Sequence, residues 1–251
     1  MSNSALTTYT RLSPNHTHPR VKKIERLTIH CFVGQVGVQQ GADAFASRTR
    51  KASCNYVVAK DGQIGLVVDE QDRSWCSSSS DNDHRAITVE VASDTKAPYA
   101  ITDAALNGLI ELLADVCRRN GIHKTVWIPD RTQALAYIPA QGEALYTLHR
   151  WFANKECPGE YILSRIQYIR DQVNAKLGNQ DAPKFEPYRV RITASALNIR
   201  KGPGTGYDKV GSTPKGGVYT IVEVQPDKSG KPWGRLKSGA GWIALSYTER
   251  A

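Results

Sequence analysis

Two kinds of hydrophobic spacing divide the chain. In residues 103–119, Leu106, Leu109, Ile110, Leu113, Val116 and Cys117 recur at three- and four-residue intervals and so share one helix face. Thr102 stands at the N-cap position, with Arg118, Arg119 and Gly121 at the closing end. Residues 160–177 repeat the pattern through Ile162, Ile166, Ile169, Val173 and Leu177, followed by Gly178. VQQGADAFASRT (38–49) is a weaker helical pattern. ERLTIHCFV (25–33) and AITVEVAS (86–93) are short β-branched runs, the mark of strands. SCNYVVAKDGQIGLVV (53–68) is two such runs about Asp61-Gly62, a hairpin turn whose glycine accepts positive φ. SSSS (77–80) reads as loop. Together these elements predict an α/β domain with a mixed central β-sheet flanked by helices.

Beyond residue 187 the pattern is all β. YRVRITA, ALNIRKG, GGVYTIVEVQ and GWIALSYT read as strands, separated by the turns KGPGTGY, PDKSGKP and KSGAG. A segment of this size and kind suits a small all-β barrel. The glycines of RKGPGTGYDKVG lack both a Gly-Lys-Ser/Thr ending and a following helix, so they do not make a phosphate loop. NQDAPKFEP (179–187) is polar, carries two prolines and has no period. The expected organisation is therefore a domain over 1–178, a linker over 179–187 and a second domain over 188–251.

Composition narrows the class. With 251 residues, 40% hydrophobic and 23% charged, the chain can bury a core, and wholesale disorder is excluded. No apolar run approaches the roughly 18–20 residues of a membrane helix, so membrane insertion is not expected. The N-terminal MSNSALTTYTRLSPNHTHPR lacks the basic-then-apolar order of a secretory signal, so synthesis in the cytoplasm is expected. Five cysteines, an odd number in a long chain, argue against a disulfide framework and for a reducing compartment. The net charge of +9 is uneven. From Tyr188 to Ala251 there are 11 Lys+Arg against 4 Asp+Glu. That surplus fits an anionic polymer as partner, or simply a solvated basic face.

The chemistry-bearing residues are few. His30 lies in the apolar strand LTIHCF, and His149 and Cys157 are eight residues apart in LHRWFANKECPGEY. Imidazole and thiolate are good Zn²⁺ ligands, and three protein ligands leave the fourth position open for catalysis. A lone strand histidine can equally be structural, and Cys-Pro-Gly can be a turn into a helix. Cys31 faces away from His30 on a strand and is not expected on the same metal. Glu90 sits in ITVEVAS, where a buried carboxylate needs a partner and could act as general base. The alternation of Thr88, Glu90 and Ala92 against Val89 and Val91 also fits an outward glutamate. Lys155, two residues before Cys157, is placed to stabilise an oxyanion or is an ordinary surface lysine.

Taken in order and spacing, LTIHC, SCNYVVAKDG, AITVEVASD and HRWFANKECPG resemble the zinc-dependent N-acetylmuramoyl-L-alanine amidases of the phage lysozyme-amidase and peptidoglycan-recognition family, over roughly residues 20–175. ALNIRKGPGTGY and GWIALSYT resemble a bacterial SH3-like wall-binding domain. The combination is similar to an endolysin of a phage, with antimicrobial potential, or to a bacterial autolysin.

The resemblance implies one Zn²⁺ held by His30, His149 and Cys157, Glu90 as catalytic base and Lys155 beside the oxyanion. Tyr56 is a weaker alternative base, because other members use a tyrosine in the hairpin strand. It implies cleavage of the amide between N-acetylmuramic acid and L-alanine by zinc-activated water, after release through a permeabilised membrane. Groove walls are expected from Trp75-Cys76-Ser77 and from residues 123–147, including Trp127 and Tyr137. Tyr207, Trp233 and Trp242 are the wall-binding candidates, with anionic wall polymers as further partners and a monomer as default. Two other readings remain: a peptidoglycan binder that does not cut, and a nucleic-acid-binding protein led by the basic barrel.

Overall fold

The computed structural model describes residues 2–178, 187–227 and 229–251. Residues 179–186, most of the expected linker, lie outside the described residues. The chain divides into two compact units, Met1–Ala182 and Pro183–Ala251. No helix among the described residues is long and apolar enough to cross a membrane.

Among the described residues the first unit has nine strands: β1 (Thr7–Thr10), β2 (His16–Thr17), β3 (Arg26–Val33), β4 (Tyr56–Val58), β5 (Ile64–Leu66), β6 (Arg73–Ser74), β7 (Ala86–Ser93), β8 (Lys124–Val126) and β9 (Glu143–Thr147). Its helices are α1 (Val38–Asp43), α2 (Ser80–Arg85), α3 (Asp103–Arg119), α4 (Arg131–Ala136), α5 (Gly159–Leu163) and α6 (Ile166–Lys176). Seven strands form one sheet in the order β1-β5-β4-β7-β3-β9-β8, while β2 and β6 pair separately. All neighbours are parallel except the β4–β5 hairpin, so the sheet is mixed, as expected.

Side chains alternate across each strand, which gives the sheet two different faces. Leu27, Ile29, Tyr56, Val58, Ile87, Val89 and Val91 join the apolar faces of α3 and α6 in the main core. Val57, Cys54 and Val67 pack with Ala42 and Phe45 on the other side. Thr102 caps α3 by accepting from the Ala105 N–H at 3.0 Å.

The single helix expected over 160–177 is two helices, α5 and α6, separated by Ser164 and Arg165. The Arg165 guanidinium is buried, lies 3.6 Å from the centre of the Tyr161 ring and donates to the Tyr161 carbonyl at 3.3 Å. The Arg165 N–H donates to the Ile162 carbonyl at 2.9 Å, a tighter turn that apolar spacing alone does not register. SSSS is not all loop either, since Ser79 caps α2 and Ser80 opens it. The spacing also left β8 and β9 unread, although β9 lies beside β3 in the sheet.

The second unit forms a seven-stranded antiparallel sheet, consistent with the expected SH3-like fold. Its strands are β10 (Tyr188–Ile192), β11 (Ala196–Arg200), β12 (Lys209–Pro214), β13 (Val218–Pro226), β14 (Pro232–Leu236), β15 (Trp242–Ala244) and β16 (Thr248–Arg250). Val190, Ile192, Ile221, Trp233, Leu236, Trp242 and Ile243 fill its core. Strands β12 and β14 escaped the sequence pattern because glycine and proline interrupt KVGSTP and PWGRL.

One close approach fixes the β4–β5 hairpin on α3. Gly62 has φ of 86°, and a Cβ on Gly108 of α3 would stand 2.5 Å from the Gly62 carbonyl oxygen. In an exposed helix, Gly→Ala stabilises by about 1 kcal/mol. Here the clash is with backbone, so Gly108→Ala should instead lower unfolding free energy by about 1–3 kcal/mol, read from the urea midpoint at unchanged m. A stabilised variant would show that the hairpin yields freely.

Candidate metal and catalytic site

The site begins with register. Strands β3 and β7 run parallel with His30 opposite Glu90 and Thr28 opposite Thr88. Ile29, Val89 and Val91 turn into the apolar core, so His30 and Glu90 share the other face. That face is buried and polar. Thr28, Thr88, Asn55 and Asn82 are fully enclosed, and Thr147 nearly so.

A hydrogen-bonded network satisfies this polar floor. The Thr28 and Thr147 hydroxyls lie 2.7 Å apart. The Asn82 amide donates to Thr28 and to Ser77, each at 3.0 Å, while its oxygen accepts from Thr147 at 3.0 Å. Asp83 accepts from the Cys76 N–H at 2.9 Å and from the Ser77 N–H at 3.1 Å. The turn between β6 and α2 is thereby tied down against the sheet. An outward Glu90, which alternation alone allowed, is not what the fold gives. Its Oε2 is buried without a hydrogen-bond partner, and burial pushes its carboxyl up to about 7.

His149 enters just after β9, whose Thr147 pairs with Thr28. Trp151, two residues on, stacks on Trp127 with ring centres 5.7 Å apart and planes within 2°. The His149 ring centre is 5.0 Å from that of His30, and the Ser78 hydroxyl lies 3.1 Å from His149 Nε2. Cys157 is brought in by the loop before α5. Gly159 there has φ of 82°, and a Cβ on it would stand 2.8 Å from Tyr99 Cβ. Cys157 Sγ lies 3.3 Å from His30 Nδ1.

Ligand atoms of His30, His149 and Cys157 all fall within 4.8 Å of one another. Tetrahedral Zn²⁺ with ligands at about 2.0–2.3 Å holds them roughly 3.3–3.8 Å apart, so the trio fits with small side-chain adjustment. The His30 Nε2 is buried with no partner, and burial drives this imidazole's pKa down to about 3, leaving it neutral as a ligand must be. Burial, then the charge of Lys155, also lowers His149. The Cys157 thiol is raised, first by its contact with the Cys31 thiol and then by burial. A bound cation is what would draw it to thiolate. Cys31 touches Cys157 without belonging to the trio.

Lys155 is exposed and lines a cleft of about 360 Å³ with His149, Lys51, Arg73, Trp75, Cys76 and Ser78. The Trp75-Cys76-Ser77 turn does supply part of this wall. Trp127 and Tyr137 are engaged elsewhere, Trp127 on Trp151 and the Tyr137 hydroxyl donating to Glu143 at 2.5 Å. Tyr56 is also apart from the site. Its hydroxyl donates to Glu70 at 2.6 Å and accepts from the Ser4 N–H at 2.9 Å, on the core side of the sheet.

Cys76 was missed as a site residue. Its thiol contacts Glu90 Oε1 at 3.9 Å, and with His30 and Glu90 it forms a second group of potential ligands. No spacing rule marks it, because the turn before α2 carries it there. Among the described residues, Lys51, Ser78 and Tyr99 are the non-glycine positions with positive φ, at 51°, 61° and 58°. Two line the cleft and the third backs Gly159.

In the second unit, Trp242 is core. Trp233 is 4% exposed, donates its indole N–H to Asp227 at 3.1 Å and forms part of a cavity of about 250 Å³ with Arg200, Thr205 and the exposed Tyr247. The Tyr207 ring packs on Gly202. Both tryptophans are therefore core residues, at 4% and 8% exposure, and of the three aromatic candidates the half-buried Tyr207 has most surface for a ligand.

The family model for N-acetylmuramoyl-L-alanine amidase matches residues 20–160, more than half of the chain. The chain belongs to the N-acetylmuramoyl-L-alanine amidase family. A bacterial SH3 domain model matches residues 195–249 of the same chain. Solved structures similar to this amidase include a mutant endolysin from Bacillus subtilis, at 14% identity over 66% of this chain and 97% of that one, with a TM-score of 0.46. PlyL matches at 13% identity over 66% and 95%, with a TM-score of 0.49. The Staphylococcus aureus hydrolase AmiA in complex with its ligand matches at 16% identity over 69% and 86%, with a TM-score of 0.46. No match was found among curated protein sequences.

The placement of Tyr56 separates a structural from a catalytic role. Tyr56→Phe removes the acceptor of the buried Ser4 N–H and one donor to Glu70. It should cost about 1–3 kcal/mol in chemical denaturation while turnover per folded molecule stays near wild type. A folded Tyr56→Phe protein with turnover down a hundredfold would restore Tyr56 as base.

Proposed function

We propose that this amidase is a zinc-dependent peptidoglycan hydrolase of the endolysin or autolysin type, cutting between N-acetylmuramic acid and L-alanine. We assign the amidase to residues 1–178, a linker to 179–187 and a wall-binding domain to 188–251. The observation that carries the reading is the convergence of His30, His149 and Cys157 near the half-buried Glu90, whose Oε2 is enclosed without a partner.

His30, His149 and Cys157 would hold the metal. When bound, zinc supplies a Lewis acid for the scissile carbonyl and lowers the pKa of water toward neutrality. Glu90, opposite His30 in the sheet, takes the proton from the attacking water and passes it to the leaving amine. Its raised pKa suits it to both halves of that exchange. Lys155, at the cleft wall, stabilises the negative charge that develops on the carbonyl oxygen. The Ser78 hydroxyl steadies the His149 ring. The second unit binds the wall, with attraction to anionic polymers adding to encounter rate. A wall-binding protein that does not cut would have no use for the His30, His149 and Cys157 grouping.

Substitution tests the assignment. His30→Ala, His149→Ala and Cys157→Ala should each abolish retention of stoichiometric zinc by metal analysis, together with wall lysis, whereas Cys31→Ser should keep both. Glu90→Gln should keep zinc and lose about 10²–10⁴-fold in turnover. Zinc retained by Cys157→Ala but lost by Cys31→Ser would reverse the ligand assignment.

Salt separates two modes of wall binding. Pelleting of the full chain with purified walls should weaken as the Debye length falls from about 10 Å at 0.1 M to about 3 Å at 1 M, most strongly on walls that keep their anionic polymers. Binding indifferent to salt and to those polymers would leave recognition to a groove alone.

A further inference from the structure

The cleft beside His149 carries an unbalanced charge. Lys51, Arg73 and Lys155 all line it. Its one acidic wall residue, Asp83, is 2% exposed, and its oxygens are occupied by the Ser77 and Cys76 N–H groups. Among the described residues, none of the three cations pairs with a carboxylate.

Arg73 is also held in place. Its Nε and Nη2 donate to Thr17 Oγ1 at 3.2 and 2.6 Å, and the Trp75 indole N–H donates to the same oxygen at 2.9 Å. Thr17 pairs with Arg73 across β2 and β6, so the clamp is built into the strand register. Two of the five guanidinium N–H groups are thus committed to fixing the side chain, and others remain for a ligand. Lys51 extends from a left-handed turn residue lining the same cleft.

Resting on the amidase reading, we propose that Lys51 and Arg73 form an anion subsite that selects peptidoglycan stems with a free carboxylate over stems in which it is amidated. The scissile amide must approach His149, so the stem peptide lies along the cleft. A carboxylate accepts a charge-assisted pair of bonds from a fixed guanidinium, whereas a primary amide offers one neutral oxygen and two donors that a cation repels.

The test uses two muramoyl peptides identical except for a free α-carboxylate or its primary amide at the second stem residue. The specificity constant kcat/KM of each is measured with the zinc-loaded full chain. Affinity for the matching free stem peptides, which have no scissile bond, is measured by calorimetry on metal-free protein. The acid form should be favoured about fivefold or more in both measurements, the scale of a partly exposed charge-assisted contact, and less so in 1 M salt. Lys51→Met and Arg73→Gln should each lower that ratio, and Lys51→Glu should lower it further. The exposed Lys51 keeps the test open if Arg73→Gln folds poorly. Equal handling of the two forms by the wild type, or a preference untouched in both variants, overturns the subsite. Preferential binding of the acid form without cleavage of either substrate would leave the subsite standing and remove the amidase reading instead.

Discussion

The parallel pairing of β3 with β7 sets His30 beside Glu90, and the chemistry of the site depends on that register. A slip by one residue would bring Ile29 or Cys31 opposite the glutamate and reverse both faces of the strand. What prevents the slip is the apolar side. Leu27, Ile29, Ile87, Val89 and Val91 are all buried with α3 and α6, and each such side chain contributes on the order of 1.5–3 kcal/mol. The functional face contributes less of this kind, because threonine, asparagine, histidine and glutamate share it with only a smaller apolar cluster about Val57, Val67 and Phe45. The core on one face of the sheet thus supports the chemistry on the other.

The polar face could only be kept because nearly all of it is bonded. An unmet buried donor or acceptor costs about 1–3 kcal/mol, and a chain of met ones reinforces itself. Thr28, Thr147, Asn82, Ser77 and Asp83 form such a chain, and it does more than satisfy itself. It fixes the turn that carries Cys76 to Glu90 and Ser78 to His149. His30 Nε2 and Glu90 Oε2 stand out against this background as buried atoms left without partners. Arg26 Nε, on the same face of β3, is a third such atom, but it lies two positions further from the ligand-atom cluster than Thr28.

Much of this was legible in sequence. Strand β7 was readable to the residue from AITVEVAS, and α3 from its apolar stripe, because each follows one period without interruption. His30, His149 and Cys157 were only suggestive by themselves, and the resemblance of the motifs around them singled them out as ligand candidates. Other features depend on contacts between distant segments, which no local period encodes. The break falls at Arg165, whose guanidinium lies over Tyr161. Strand β9 is short, and its place is defined by pairing with β3. Cys76 reaches Glu90 through a turn. For the aromatic residues, sequence shows an aromatic but not which way its ring faces, and Trp242 faces the barrel core.

Departures from local rules also gather at one place. Lys51, Ser78 and Tyr99 hold a backbone conformation that costs a non-glycine residue roughly 1 kcal/mol or more, and all three border the cleft or the Cys157 loop. His30 and Glu90 are among the residues with an unpartnered buried atom, and Lys51, Arg73 and Lys155 line the cleft walls. Elsewhere in the first unit, caps, hairpin and core follow the rules closely. A fold this consistent keeps such exceptions only where the surrounding structure over-determines them. Here the determinants are the β3–β7 register, the network on the sheet floor and the Gly159 packing against Tyr99. The β3–β7 register holds His30 and Glu90 together, whereas Lys51 and Arg73 of the cationic wall stand on other segments. Lys51 and Arg73 can therefore vary in charge without disturbing the pairing that sets His30 beside Glu90.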